Sequence, residues 1–373
     1  MQMKKDFIIV QKAFALQPCD DVGRTLVDII NNILLSRAGP VKKFTLLIDS
    51  YCPELRQSDF NKWCLFLSRN GVEELNIGFF NGEAEYKLPF CILSCPTIKQ
   101  LLVDVPFIDL PVNNVGGIFS NDTKLFCWGV EFRRTVNGTA SSISIPNLER
   151  LDLFDCRGIN KFEISAPKLE ILSVRHSVHG VVESRWLTPH LKAIKALWLC
   201  GSSLLYMDAS LFATAINLLV LGLDELSFGC GKQLTVVMQL LQKCPNLCEL
   251  RIMADQFRGK DDQEATSRLL EDPDSGFVIQ ELKMLNTIKI ESFSEFALEM
   301  LFMKMLLSKS PALERVVIVQ SWHMNASEVR NFQRKLECFP RASPNAQIVC
   351  TGNYYASMRD DWLDTHGFIL LEP

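Results

Sequence analysis

The residues of this chain best able to do chemistry are thirteen cysteines, five histidines and one glycine–lysine turn. The cysteines fall at 19, 52, 64, 91, 95, 127, 156, 200, 230, 244, 248, 338 and 350. Their number is odd and none stands in a C-x-x-C. The two close pairs, Cys91/Cys95 and Cys244/Cys248, have a four-residue step that fits neither a zinc ribbon nor a redox motif. They read as reduced thiols packed like small hydrophobes, which implies a cytoplasmic or nuclear protein. His176 and His179 would share a helix face, yet they follow a strand in the loop 175–180 with no third ligand nearby, so no metal is expected. His190 and His323 are isolated and read as structural. Gly229-Cys230-Gly231-Lys232 imitates a phosphate loop, but Leu226 and Gln233 stand where that motif needs a glycine and a Ser/Thr. It reads as a turn ahead of a helix. With no nucleophile motif either, neither an enzyme nor a cofactor site is expected.

Composition narrows the field further. The 373 residues are 48% hydrophobic and 22% charged, with a formal net charge of −4. No basic patch points to nucleic acid or to an anionic membrane surface. No apolar run approaches the roughly 20 residues needed to span a bilayer. Asp6, Gln11 and Lys12 interrupt the N-terminal apolar stretch, so it does not read as a signal peptide. The sequons beginning at Asn121, Asn137 and Asn325 are accordingly expected to stay unmodified.

What remains is periodicity. One phrase recurs: an apolar residue, two of any kind, a second apolar residue, one of any kind, a third. Five copies carry a proline two residues upstream: Pro96-Ile98-Leu101-Val103, Pro146-Leu148-Leu151-Leu153, Pro167-Leu169-Leu172-Val174, Pro245-Leu247-Leu250-Ile252 and Pro311-Leu313-Val316-Ile318. Weaker copies start at Val41, Val72, Leu125, Ile194, Leu218 and Leu285, giving steps of 21 to 38 residues. Leu148 to Cys156 matches L-x-x-L-x-L-x-x-C in full. The second and third apolar residues, two apart, share one face of a strand. A proline just ahead needs no N–H partner where the strand begins. Such a unit cannot bury its apolar face alone, whereas a stack of parallel units can. The expected fold is therefore an α/β leucine-rich-repeat solenoid, with a curved parallel β-sheet on the concave face and helices or irregular segments on the convex face.

Helical patterns fill several gaps between strands. Residues 24–38 place Leu26, Ile29, Ile30, Ile33 and Leu34 on one face, and 59–69 place Phe60, Trp63, Cys64 and Leu67, with Gly71 past the end. Residues 232–243 use Leu234, Val237, Met238 and Leu241; 295–309 use Leu298, Leu301, Phe302, Met305 and Leu306. The polar stretch 257–276 reads as an inserted surface loop. The resulting division is a helical cap or linker at 1–40, repeats at 41–256, the loop at 257–276, further repeats at 277–350 and a tail at 351–373.

Three stretches resemble a known family. Residues 33–77 (ILLSRAGPVKKFTLLI…DFNKWCLFLSRNGVEELNI), 86–103 (YKLPFCILSCPTIKQLLV), and 281–318 together with FPRASPNAQIV at 339–349 are similar to plant F-box/FBD/LRR proteins. The last of these corresponds to the C-terminal FBD region. The resemblance implies the substrate-holding portion of a ubiquitin-ligase receptor, whose F-box docks on the Skp1 adaptor of a cullin ligase. Residues 1–23 lack the L-P-x-x-[IV]-like opening of an F-box. Docking on Skp1 is therefore expected only if an F-box is supplied upstream, and a stand-alone interaction or decoy protein is the alternative.

The partner surface follows from strand alternation. Residues flanking the inward pair face away from the core: Arg150, Asp152 and Phe154; Ser173 and Arg175; Trp198; Glu249 and Arg251; Lys289 and Glu291; and Arg315. They predict a mixed-charge face for a target protein, with arginine and aromatic anchors, on a chain that is monomeric outside its complexes.

Overall fold

The computed structural model describes residues 6–11, 22–36, 39–48, 55–79, 86–110, 117–134, 141–176, 184–255, 280–294, 296–320 and 326–351. The loop 257–276, His179, His323 and the sequons at Asn137 and Asn325 lie outside them, as does the tail from 352. The chain divides into two compact units, Met1–Leu219 and Val220–Pro373.

The first unit is a mixed α/β structure around one parallel sheet. Its strands are β1 (Asp6–Gln11), β2 (Lys43–Ile48), β3 (Glu74–Phe79), β4 (Gln100–Asp104), β6 (Lys124–Trp128), β9 (Arg150–Phe154), β11 (Ile171–Arg175) and β12 (Ala196–Cys200), in that spatial order. Every pair for which a register is defined runs parallel. Asp6–Gln11, inside the segment read as a helical cap, is thus a strand; the helix of that segment is α1 (Val22–Leu35). Two short parallel ribbons accompany the sheet: β5 (Phe107–Leu110) with β7 (Glu131–Arg134), and β8 (Ser141–Ser144) with β10 (Phe162–Ser165). Helix α2 (Gln57–Arg69) buries the four expected residues Phe60, Trp63, Cys64 and Leu67. Trp63 Nε1 donates to Asn31 Oδ1 at 2.9 Å, tying α2 to α1. Ile29, expected inward on α1, is exposed, whereas Ile30 and Leu34 are buried. After β11 and β12 come the single turns α4 (Ser184–Leu187) and α5 (Gly201–Leu204), the latter followed by a 3-10 helix at Ala209–Thr214; α3 (Phe90–Leu93), earlier in the unit, is equally short.

The second unit carries β13 (Val220–Leu226), β14 (Glu249–Ala254), β15 (Thr287–Phe293), β16 (Arg315–Gln320) and β17 (Gln347–Thr351), again parallel and in order. Its helices are α6 (Gly231–Lys243), α7 (Ala297–Lys309) and α8 (Ala326–Glu337). Gly231-Lys232 forms the first turn of α6, with no phosphate-loop geometry implied.

The repeat phrase sets the register. Leu101, Leu125, Leu151, Leu172 and Leu197 pair in one row, and Val103, Cys127, Leu153, Val174 and Leu199 in the next; all are essentially buried. In the second unit Leu221, Leu250, Ile288 and Val316 form the equivalent row, with Leu223, Ile252, Ile290 and Ile318 beside it. Burying each such aliphatic side chain stabilises the unit by roughly 2 kcal/mol.

One register assignment from the sequence is corrected. Leu125 was expected to open its phrase, but it pairs with Leu101 and Leu151 and so holds the second position. The opening position, three residues earlier, belongs to Asp122. That carboxyl is buried where the other repeats place Ile98, Leu148, Leu169 or Ile194. Burial drives its pKa up to about 8.

Two backbone devices recur. Before β3, β4, β6, β9, β11, β12, β15 and β16, two consecutive N–H groups converge on one carbonyl of the preceding repeat. Glu149 and Arg150 donate to Thr123 O, and Glu170 and Ile171 to Glu149 O, at 2.8–3.0 Å. Four residues after the second apolar position the chain turns left-handed, at Gly129, Asp155, His176, Glu225 and Ser292, with φ between 49° and 61°. Asp155 N–H still donates to Arg175 O at 3.0 Å, so the turn extends the ladder by one bond. The turn delivers Val130, Cys156, Leu226 and Phe293 to the core. Cys156 Sγ there donates to Cys127 O at 3.2 Å. Burial raises the Cys156 pKa to about 12, the behaviour of an inert packed thiol.

Candidate functional site

Because Leu151/Leu153 and Leu172/Val174 point inward, Arg150, Asp152, Phe154, Ser173 and Arg175 are turned to the opposite face of the same strands. Neighbouring strands stand about 4.8 Å apart, and residues two apart on one strand about 6.6 Å. An arginine can therefore reach both a carboxylate on its own strand and a ring on the next.

It does so here. Arg150 Nε donates to Asp152 Oδ2 at 2.6 Å, and its guanidinium lies 5.1 Å from the centroid of Phe126 on β6. Arg175 Nη2 stands 4.0 Å from the other oxygen of Asp152, Arg175 Nε donates to Ser173 Oγ at 2.9 Å, and its guanidinium lies 5.8 Å from the Phe154 ring. Phe154 stacks on His176, with centroids 5.2 Å apart and planes 13° apart, and meets Trp128 at 6.0 Å. Two cations thus share one buried carboxylate among three aromatic rings, each contact in the range where cation–π attraction operates. Asp152 and Ser173 are only 4% and 2% exposed. They hold the arginines in place; Arg150 and Arg175 keep 18% and 11% of their side chains exposed, Trp128 and Phe154 are partly buried, and His176 is exposed. Trp198, paired in register with Ser173, extends the row on β12.

Asp104 borders this cluster on β4. Burial alone pushes its carboxyl up to about 7. A side chain at Gly129 would bring its Cβ to 3.6 Å from Asp104 Oδ1, so the glycine supplies the needed left-handed turn while leaving that carboxyl ordinary contact distance.

The remaining expected residues lie in the second unit. Arg251 Nε meets Glu249 Oε1 at 2.7 Å, and Lys289 Nζ meets Glu291 Oε1 at 2.7 Å. Arg315 begins β16 and is exposed. Each pair is an i, i+2 bridge within one strand, so what the sequence presents as alternating charge is largely closed on itself.

Phe126, Trp128 and His176 were not among the expected surface residues. A phrase opening at Leu125 places Trp128 on the inward side, and the sequence presents His176 only as a possible metal ligand. Among the described residues no group of three or more His, Cys, Asp or Glu side chains is arranged to hold a metal. The eleven described cysteines are free thiols. Among the described residues no helix is long and apolar enough to cross a membrane.

No family model matches the chain. An F-box/FBD/LRR-repeat protein of Arabidopsis thaliana aligns with it over 361 residues at 27% identity, covering 88% of this chain and 84% of that protein. That similarity bears out the resemblance seen in the sequence. With its row-by-row parallel repeats, the chain is similar to that plant F-box/FBD/LRR-repeat protein.

Proposed function

We propose that this chain is a protein-binding leucine-rich-repeat module, the substrate-recognition part of an F-box-type ubiquitin ligase receptor. In this reading the strands of each unit line the concave side of a curved repeat stack, residues 41–256 and 277–350 supply the repeats, and the target protein is held against the outward strand residues. The module takes no cofactor, performs no catalysis, and acts in the cytoplasm or nucleus. It engages a Skp1–cullin ligase through an F-box joined to it.

The observation that carries the reading is the cluster of Trp128, Phe154, Arg150 and Arg175 on the outward face of β6, β9 and β11. Aromatic and arginine side chains held rigid on an open face lose little entropy on binding, which is the character of interface anchors. The core does not need them, since Leu125, Leu151 and Leu172 on the other face already seal it.

Affinity capture from plant extract with the wild-type chain and with Trp128→Ala, Arg150→Glu and Arg251→Glu variants tests it. Loss of a specific captured protein is expected with Trp128→Ala at unchanged melting temperature, and with Arg150→Glu at a melting temperature lowered by the loss of its bridge to Asp152. Arg251→Glu reports whether the second unit contributes. Equal capture by all variants removes the assignment. Pull-down of Skp1 by residues 1–373 alone is expected to be negative, whereas fusion to an F-box restores it.

A further inference from the structure

The outward face of the first unit carries an acid without a base. Asp104 ends β4, two residues after Leu102, so both side chains turn away from the core row of Leu101 and Val103. Asp104 is partly exposed, and among the described residues no hydrogen bond or ion pair reaches its carboxyl. Asp152, by contrast, is shared by two arginines.

Its surroundings leave room for a visitor. Gly78, its partner in register on β3, has no side chain, and Gly129, just past β6, would bring even a Cβ to 3.6 Å from Asp104 Oδ1. Two residues before Gly78, on the same face, Asn76 has a buried side-chain oxygen that accepts no hydrogen bond. Positions placed diagonally like this stand about 8 Å apart. Leu102, which pairs with both Asn76 and Phe126, lies between them and is 8% exposed. On the other side, Trp128 follows Cys127, the partner of Val103, and so stands level with Asp104.

We propose that this recess receives a basic side chain, lysine or arginine, of the protein held on this face. The inference rests on the reading of the module as target-binding and names the chemistry of one contact. Asp104 offers a negative charge, Asn76 Oδ1 a buried acceptor and Trp128 an aromatic ring. Lysine and arginine alone suit all three, because they are cations that donate hydrogen bonds and accept none. An acidic side chain would be repelled by Asp104, and an apolar one would leave both acceptors unpaired. The apolar base at Leu102 lowers the local dielectric and strengthens the charge pairing. Glycine at 78 and 129 leaves width for the long stem.

NMR on the full chain at about pH 8, where Asp104 is mostly ionised, tests the proposal. The probes are Nα-acetyl-lysine methylamide and its uncharged norleucine analogue, followed at the tryptophan indole signals, with Trp128→Phe to assign the one that matters. A saturable shift of the Trp128 signal is expected with the lysine probe only. Its affinity should fall at least about tenfold in Asp104→Asn, which keeps the size of the side chain and removes the charge, and should fall in Asn76→Ala as well. No shift at Trp128, an equal shift with the norleucine probe, or unchanged affinity in either variant overturns the proposal. Capture from plant extract separates this contact from the reading beneath it. A captured protein lost with Trp128→Ala but kept with Asp104→Asn leaves target binding standing and overturns the contact. Probe binding without any captured protein sinks the target reading and leaves the recess standing as a cation site.

Discussion

The outward faces of the two units occupy the same register positions and carry different chemistry. On β6, β9 and β11 two arginines converge on the buried Asp152 and lie against Phe126 and Phe154, with Trp128 and His176 completing the cluster. On β14 and β15 each basic residue is bridged to the acid two positions away on its own strand, Arg251 to Glu249 and Lys289 to Glu291. Two-residue spacing lets any strand satisfy its own charges. Aromatic neighbours on adjacent strands turn that local pairing into a partly desolvated, cross-strand cluster. The comparison shows that charge alternation alone does not make a binding face; what stands beside the charge, a repeat away, decides.

Substitutions in the two units test this contrast. The largest effect is expected where the units are alike. Leu151→Asp and Ile252→Asp each place a carboxylate in a sealed row and should destabilise their own unit by about 4 kcal/mol or more. Exchange mapping by unit checks this, and an unchanged melting profile for either variant would undo the register. Next comes the difference between the faces. Asp152→Ala removes a buried carboxylate that two partly buried guanidiniums share and should cost roughly 3 kcal/mol in urea denaturation.

The pH response separates the units as well. Among the described residues, the carboxyls raised by burial are Asp104, to about 7, and Asp122, to about 8, both in the first unit. When folded they keep protons that the unfolded chain releases near the ordinary 3.8. The folded state therefore binds more protons between about pH 4 and pH 8, and stability of the first unit falls as pH rises through that window. Asp122→Asn should raise its melting temperature at pH 8 and make no difference near pH 4. A gain of the same size at both pH values would show that ionisation at Asp122 does not matter. The smallest change is expected for Glu249→Ala. It opens a partly exposed bridge and should cost less than about 1 kcal/mol. A loss matching that of Asp152→Ala would erase the distinction between the faces.

Much of this was legible in advance, and the misses have physical causes. The phrases at Leu148, Leu169, Leu247 and Leu313 located strands that begin two residues after each phrase's first apolar residue, because the two-residue spacing marks the buried face of a strand. At Leu125 the pattern was ambiguous: Leu125, Trp128 and Val130 satisfy it as apolar residues, while the true opening residue, Asp122, is charged. That three-residue slip also turned Trp128 inward and hid it from the expected surface. The pairing of Arg150 with Asp152 could be inferred from spacing. The sharing of Asp152 with Arg175, 23 positions further along, could not.

Where the strands lie and which side of each is dry can be read from the residues alone, since both follow from side-chain alternation within five or six residues. The tertiary structure decided which polar residues are buried, which charges are shared and which rings touch. Those outcomes depend on neighbours about 25 residues away in the chain but one strand away in space, and no local pattern encodes them.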